Sequence, residues 1–556
     1  MINRGNRMLQ QYGRVSFLLI LLVAILFRFY GLELLPQWAW DEGVNANISW
    51  NLTNLKAQWF SLTYPFIPHP PLFFVISSIL LKFFGNKLII IRVLTAFYGA
   101  LTAFIIYLIG KEAFGLKNAV IMSFLFSIHP WAIFFNRSAF ANNQLMFFYI
   151  LSLYFFLRYY TNKGDIYLYL SSISAVSGLL TEFTGVGILI SILILCQFYK
   201  KCDGKKIFII SVISIMPLII FLLIMLSIMP DAFIHDFIFT SNRFKNSIFG
   251  FTIITIILFI FGYCLKEQTL KILQNIMGFY RKIAYDAVTF DTDTSDEIKN
   301  ERVKRNLMLT ISLLSILLAF LSLNNLSRSA FFGSIDYFWF GITGFIFIER
   351  RDIRNIILLF FLPMFIITMG VGRLDHMIIP LYPFFSIGLA ILLITIYDFL
   401  TSICRNVVVN LIIFVIIAYP FIFFIYQDFN TFVLQINPLV GRENIRDRIK
   451  VSNFINNRIH NDDIIIADSH FPRFIKGKVS VILQSVAIHG RGIMYMSSDY
   501  GNERFVFNCS YKNARFIVIK KNSLGWLKDC CNEILEHIRN YKRYEIGEYI
   551  LYENYI

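Results

Sequence analysis

The chain has 556 residues, 57% of them hydrophobic and only 15% charged, with a mean hydropathy of +0.63. So much apolar surface and so little charge exclude a soluble globular protein, which needs more charge to cover its exterior. The formal net charge of +16 does not point to nucleic acid, because the Lys and Arg clusters sit between apolar spans, where excess positive charge marks cytoplasmic loops.

In chain order, Arg4, Arg7 and Arg14 precede the first apolar run, Val15 to Tyr30, which predicts a cytoplasmic N-terminus. No small-residue cleavage pattern follows that run, so a cleavable signal peptide is not expected. A polar loop from about 32 to 70 comes next, then two apolar runs, 71–84 and 89–110. Topology allows these two only one net crossing, so one of them is expected to be re-entrant or interfacial. Further spans are expected over 118–134, 144–160, 166–180, 182–199, 207–229, 247–265, 306–323, 335–348, 355–370, 377–398 and 407–427. Most approach the ~20 residues that cross a bilayer core. The basic stretches 111–117, 200–206, 266–305 and 349–354 then share the cytoplasmic side. A total of about 13 spans places the C-terminal region on the opposite face.

From about residue 430 charge becomes frequent and short β-rich runs appear, Ile464 to Ala467, Val479 to Leu483 and Phe516 to Ile519, with helical patterns near 443–458 and 526–540. The expected organisation is an all-α polytopic membrane domain over 1–430 and a small external α/β domain over 431–556. Asp291, Asp293, Asp296 and Glu297 in the 266–305 connector lack the central Gly and terminal Glu of an EF-hand, and read as a solvated loop. Of seven Cys, Cys530 and Cys531 are adjacent and Cys196, Cys264 and Cys404 lie in or beside apolar spans. That spacing suggests neither a zinc site nor a disulfide framework.

The residues suited to chemistry collect in the outside turns. The first loop reads QWAWDEGVNANISWNL, with Asp41 and Glu42 directly after Trp38 and Trp40. Trp suits the membrane interface, and a carboxylate there can take a proton from an acceptor hydroxyl near a lipid-linked substrate. The plain alternative is a solvated acidic pair. The same loop ends in IPHPPLFF, where Pro68, Pro70 and Pro71 stiffen the entry to the next helix and hold His69 at the interface. After the 118–134 span, HPWAIFFNRSAFANNQLMFF carries Arg137, a cation able to bind a lipid phosphate or simply to anchor at headgroups. A third turn, GVGRLDHMIIPLYPFF, holds Arg373, Asp375 and His376 before Pro380 and Pro383. Arg243, Lys245 and Glu182 are weaker candidates, Glu182 because an acid at a span end is costly unless it lines a wet cavity.

The order of a DE loop, HPPL, Arg92 in the next apolar run, and Arg137 five residues before Asn142 at the start of an apolar helix resembles the GT-C membrane glycosyltransferases. The resemblance is greatest to the branch of protein O-mannosyltransferases and lipid A aminoarabinose transferases, and strongest over residues 35–160. It implies the GT-C fold and an inverting transfer from a polyprenyl- or dolichyl-phosphate sugar to a protein, lipid or glycan acceptor at the external face. By that resemblance Asp41 matches the catalytic acid, with Glu42 as its neighbour. Arg373, Arg137 and Arg92 fall to the donor phosphate, and His69, Asn142, His376 and Asp375 to substrate contacts. Asn142 and Asn143 stand where the family often has a second Asp. An amide brings no charge to a divalent cation, so no metal and no cofactor are expected.

The expected partners are the lipid-linked donor, its acceptor and membrane lipids, not nucleic acid. The expected location is the cell membrane, or the ER membrane with a lumenal C-terminal domain in a eukaryote. Two other readings compete: a transporter or flippase for an anionic lipid-linked substrate, and a non-catalytic glycolipid-binding relative. Transporters often carry internal repeats, and none is visible here; the Asn142 substitution keeps the non-catalytic reading in play.

Overall fold

Apolar runs of this length satisfy their backbone polar groups in lipid only as helices or closed barrels, and here they fold as helices. The computed structural model describes residues 2–33, 39–54, 69–198, 202–228, 335–371, 375–403, 438–489 and 505–555, with isolated positions between. The expected spans over 247–265 and 306–323, the 266–305 connector, Trp38, Pro68, Arg243, Lys245 and Arg373 lie outside the described residues.

The helices in chain order are α1 (Ile2–Phe29), α2 (Trp40–Asn54), α3 (Leu72–Phe84), α4 (Leu88–Ala113), α5 (Leu116–Ser127), α6 (Pro130–Asn136), α7 (Asn142–Tyr160), α8 (Ile166–Leu179), α9 (Val186–Phe198), α10 (Gly204–Ile228), α11 (Ile335–Ile346), α12 (Arg351–Val371) and α13 (Tyr382–Ile403). A 3-10 helix, Asp375–Leu381, leads into α13. Among the described residues, Leu88–Ala113, Gly204–Ser227 and His376–Asp398 are long and apolar enough to cross a membrane on length and composition. At 13 residues, α3 reaches only ~20 Å against a core of ~30 Å, which leaves α4 as the crossing element of that pair.

Two expectations change. The run 118–134 is not one continuous helix: it breaks into α5 and α6 with a 60° bend, because Pro130 has no N–H to continue the helical ladder and starts a new helix instead. The 32–70 segment is not simply a loop, since 40–54 is the helix α2.

Close backbone approach sets part of the helix packing. Gly341 and Gly344 of α11 lie against Phe385 and Gly388 of α13, where any Cβ would overlap the facing backbone, the small-residue packing expected between helices in lipid. Between α7 and α8, the Ser152 and Ser171 hydroxyls meet at 2.9 Å.

The two ends of this bundle differ in chemistry. One end carries pairs of Lys117 with Asp398, Arg158 with Glu112, and Lys206 with Asp165. The other carries the N-terminus of α2, the α6–α7 turn and the Asp375–Leu381 helix.

The C-terminal domain starts with α14 (Pro438–Asn456) and builds a five-stranded sheet in the order β2-β1-β3-β5-β4. Strands β1 (Ile464–Ile466), β2 (Lys478–Ser480) and β3 (Phe516–Lys520) are parallel, and β5 (Tyr549–Glu553) runs antiparallel to β3 and to β4 (Lys542–Ile546). Helices α15 (Ile482–Ala487) and α16 (Leu524–His537) accompany the sheet. The β4–β5 hairpin was not among the expected strands. Gly547 turns it at φ 57°, and a side chain there would overlap the Asp447 carboxylate, which accepts from the Glu548 N–H at 3.0 Å. The adjacent Cys530 and Cys531 are joined as a single vicinal disulfide, which is not a framework of bridges; Cys531 departs from helical backbone there (φ −147°, ψ 43°).

Candidate active site

The N-terminus of α2 is the centre of this second end of the bundle. Glu42 sits three residues after Ala39, and its Oε2 accepts the Ala39 N–H at 2.9 Å. That is the returning half of a capping box. The forward half, a Ser or Thr oxygen, is missing because residue 39 is Ala.

Arg92, one turn into α4, closes on the same carboxylate. Its Nε donates to Glu42 Oε1 at 2.8 Å and its Nη2 to Oε2 at 2.7 Å, while Nη1 donates to the Leu32 carbonyl at 3.0 Å. Oε1 also accepts the Ala139 N–H at 2.7 Å. Both side chains are fully buried. Four N–H groups therefore fill the four acceptor directions of a carboxylate. The Arg92 guanidinium, expected at the donor phosphate, is here bonded to Glu42 and to the Leu32 carbonyl, and it braces α2. Glu42 is likewise held in place by these bonds.

Asp41 is placed differently. It precedes Glu42 by ~100° around the helix, is exposed, and has no hydrogen-bond or ion-pair partner among the described residues. A carboxylate in a helix's first turn is favoured by the aligned backbone N–H groups.

The α6–α7 turn packs beside it. Asn45 Nδ2 donates to the Ala139 carbonyl at 2.8 Å, so this turn is held from both the Glu42 and the Asn45 side of α2. Arg137 is buried, with Nη1 donating to the Phe27 carbonyl at 2.7 Å. Asn143 ties the turn: its Nδ2 reaches the carbonyls of Phe135, Ser138 and Phe140, and its Oδ1 accepts from Asn136. Asn142 is buried with its amide 3.8 Å from Met377 Sδ. Phe140 stacks on His376, ring centroids 5.0 Å apart and nearly parallel at 9°. The structure thus brings the turn carrying Arg137 and Asn142 together with His376 and with α2. Asp375 opens the 3-10 helix that carries His376, directly after the undescribed 372–374.

His69 is exposed, its ring 6.1 Å from that of Phe74. The HPPL segment docks through the Leu72 N–H to the Leu180 carbonyl at 2.8 Å, and Thr181 of that turn accepts from Gln144 of α7 at 2.8 Å. His69 and Glu182 therefore belong to the same end of the bundle.

Three contributors escaped the sequence reading. Arg28, fully buried in the last turn of α1, donates to Asn136 Oδ1 at 2.9 Å and to the carbonyls of Ser127 and Phe126; a charge inside an apolar run was the available signal. His470 and Arg473 come from the C-terminal domain. His470 Nε2 lies 2.7 Å from the Ala39 carbonyl, and Arg473 Nη2 donates to the Gly43 carbonyl at 2.9 Å. Nothing local in ADSHFPRF announces that docking. Burial, then the nearby Arg448 and Arg473, hold the His470 pKa well below its usual range, which keeps the imidazole neutral.

Arg92 and Arg473 thus stand beside Glu42, and Arg448 and Arg473 beside Asp468. Among the described residues no three His, Cys, Asp or Glu side chains group as metal ligands.

Residues 68–230 match the family of dolichyl-phosphate-mannose-protein mannosyltransferases. An uncharacterized protein of Aquifex aeolicus (strain VF5) is 30% identical over 174 residues, which are 30% of this chain and 34% of that protein; the match spans about a third of the relative's length. The solved ArnT from Cupriavidus metallidurans bound to undecaprenyl phosphate superposes with a TM-score of 0.52 at 11% identity, over 96% of this chain and 97% of that one. The archaeal oligosaccharyltransferase AglB from Archaeoglobus fulgidus, in complex with an inhibitory peptide and a dolichol-phosphate, gives 0.50 at 14% identity, over 98% and 74%. The chain has the GT-C fold of these membrane proteins.

Proposed function

We propose that this protein is an inverting glycosyltransferase that moves a sugar from a polyprenyl- or dolichyl-phosphate donor to an acceptor hydroxyl at the outer face of a membrane. The observation that carries the reading is the contrast within one helical turn: Glu42 has every acceptor direction filled, while Asp41 beside it is exposed and without a partner among the described residues. The matched family and the two solved relatives, named for or bound to lipid phosphates, support that donor class.

In the proposed step Asp41 takes the acceptor hydroxyl's proton as its oxygen attacks the anomeric carbon. The bond from that carbon to the phosphate oxygen breaks, and its electron pair leaves with the lipid phosphate. Arg137 and Arg373 stabilise the departing phosphate, a role in which fixed charges aimed at developing charge contribute most. In this reading His69, Asn142, Asp375 and His376 are the residues assigned to substrate contacts. Arg92 and Glu42 fix the backbone that carries Asp41. One displacement inverts the anomeric configuration. The reaction is taken as metal-free, on the neutral amide at position 142. The N-terminus lies in the cytoplasm and the C-terminal domain outside, on the basic stretches that precede and separate the spans.

The test is single-turnover consumption of radiolabelled polyprenyl-phosphate sugars by membranes containing wild type or Asp41→Asn, with and without EDTA, in native membrane extract as the source of acceptor. One donor consumed by wild type in EDTA and not by Asp41→Asn is the expected result. Full turnover in Asp41→Asn sinks the assignment of the base, and turnover lost in EDTA sinks the metal-free mechanism.

A further inference from the structure

After β1 the chain runs through Asp468, Ser469 and His470 into a short 3-10 turn, Phe471–Arg473. This segment grips α2 from outside at three points. His470 Nε2 meets the Ala39 carbonyl at 2.7 Å, Arg473 Nη2 donates to the Gly43 carbonyl at 2.9 Å, and Asn47 Nδ2 donates to the Ser469 carbonyl at 2.6 Å. Ala39 and Gly43 bracket Asp41 two residues on either side. Contact is close enough that a Cβ on Gly43 would stand 2.9 Å from the Ser469 carbonyl oxygen.

We infer that residues 469–473 of the external domain form a clamp that sets the position of the Asp41 turn, with His470 and Arg473 as positioning residues for the transfer proposed above, on which this inference rests. The Ala39 carbonyl is an acceptor only, so His470 carries its hydrogen on Nε2 and donates. That carbonyl also accepts the Glu42 N–H at 3.1 Å, so the imidazole uses its second lone pair. Residue 39 being Ala, the cap that a local hydroxyl would supply is missing, and the other domain provides a restraint at the same residue. Asp41 itself has no bond among the described residues to fix it; its direction follows from the backbone on either side. A shift of that backbone by an ångström moves the proposed base off the acceptor, a displacement that costs reactions ~10²-fold.

The experiment uses the full chain in nanodiscs, comparing wild type, His470→Leu, His470→Gln and Arg473→Met. Gln keeps an N–H near the Nε2 position and Leu does not. Two quantities are read: amide hydrogen exchange over residues 39–47, and kcat and KM for a polyprenyl-phosphate sugar consumed by wild type. The expected result is faster exchange over 39–47 and a kcat reduced about 10- to 100-fold with KM unchanged in His470→Leu and Arg473→Met, both recovering in His470→Gln relative to His470→Leu. Unchanged exchange over 39–47 in both disruptive variants overturns the clamp whatever the turnover. Faster exchange with undiminished kcat overturns the positioning role, as does an equal loss in Gln and Leu. Should wild type consume no donor of the panel, the failure belongs to the transferase reading, and the exchange data alone decide the clamp.

Discussion

Arg92 closes its guanidinium on both carboxylate oxygens of Glu42, at 2.8 and 2.7 Å, and neither side chain is exposed. Removing one member of a buried pair leaves an uncompensated charge, which costs about 3–5 kcal/mol, whereas replacing both with apolar groups is far milder. Glu42→Leu and Arg92→Met should each lower the thermal midpoint in detergent sharply. The Glu42→Leu/Arg92→Met double variant should be more stable than either single one. A double variant that loses the sum of the two would show that the pair is not coupled. Arg92→Lys should behave like a disruptive change, since an ammonium cannot reproduce the two-pronged contact.

Gly43 is expected to tolerate no side chain. Gly43→Ala must push the Ser469 backbone away, and such overpacking costs about 1–3 kcal/mol. The measurement is thermal unfolding together with limited proteolysis between the two domains. An unchanged midpoint and unchanged cleavage pattern would contradict the contact.

Asn143 satisfies three carbonyls of the α6–α7 turn with one amide. Asn143→Leu removes these side-chain bonds, leaving each carbonyl the backbone N–H it also accepts, and takes the acceptor from the buried Asn136 amide, at about 1–3 kcal/mol for that group. Because Ala139 of the same turn donates to Glu42, donor turnover should fall as well. Asn143→Asp should also destabilise, since a carboxylate has no N–H for the three carbonyls. Wild-type stability in either variant would remove the turn from the account.

His470 gives the molecule a pH signature. Its folded pKa is held well below its usual value of 6.5, so below about pH 6.5 the unfolded chain binds a proton that the folded chain does not. Stability then rises with pH in that window, by up to ~1.4 kcal/mol per unit, and is lost as the pH falls. The Arg448 and Arg473 charges facing the ring act in the same direction. Between pH 6.5 and 5 the thermal midpoint of wild type should drop more steeply than that of His470→Gln. Parallel slopes would mean that the histidine titrates normally.

The sequence made the apolar spans readable because length and hydropathy are local quantities. The Asp41–Glu42 pair was readable for the same reason, but the different surroundings of its two carboxylates were not. Which carboxylate is filled depends on Arg92, fifty positions away, and on the Ala139 backbone. The break at His129–Pro130 carried a local signal that the hydropathy of 118–134 outweighed. The β4–β5 hairpin was signalled by alternation across KRYEIGEYILYE with Gly547 at its turn. The docking of His470 and Arg473 had no such trace, since both lie on a segment whose partner is set only by the tertiary fold.

That last contact joins residues 431 apart in sequence, His470 and Ala39, and its neighbour joins residues 422 apart. At ~5–20 residues per second of synthesis, roughly 20–90 s separate the emergence of one side from that of the other. During that interval α2 lacks the contacts that residues 469–473 make with it. A ribosome-stalled or truncated product ending before residue 468 would carry α2 and its carboxylates without the contacts of residues 469–473, so the inferred clamp is completed only once the last domain has been made.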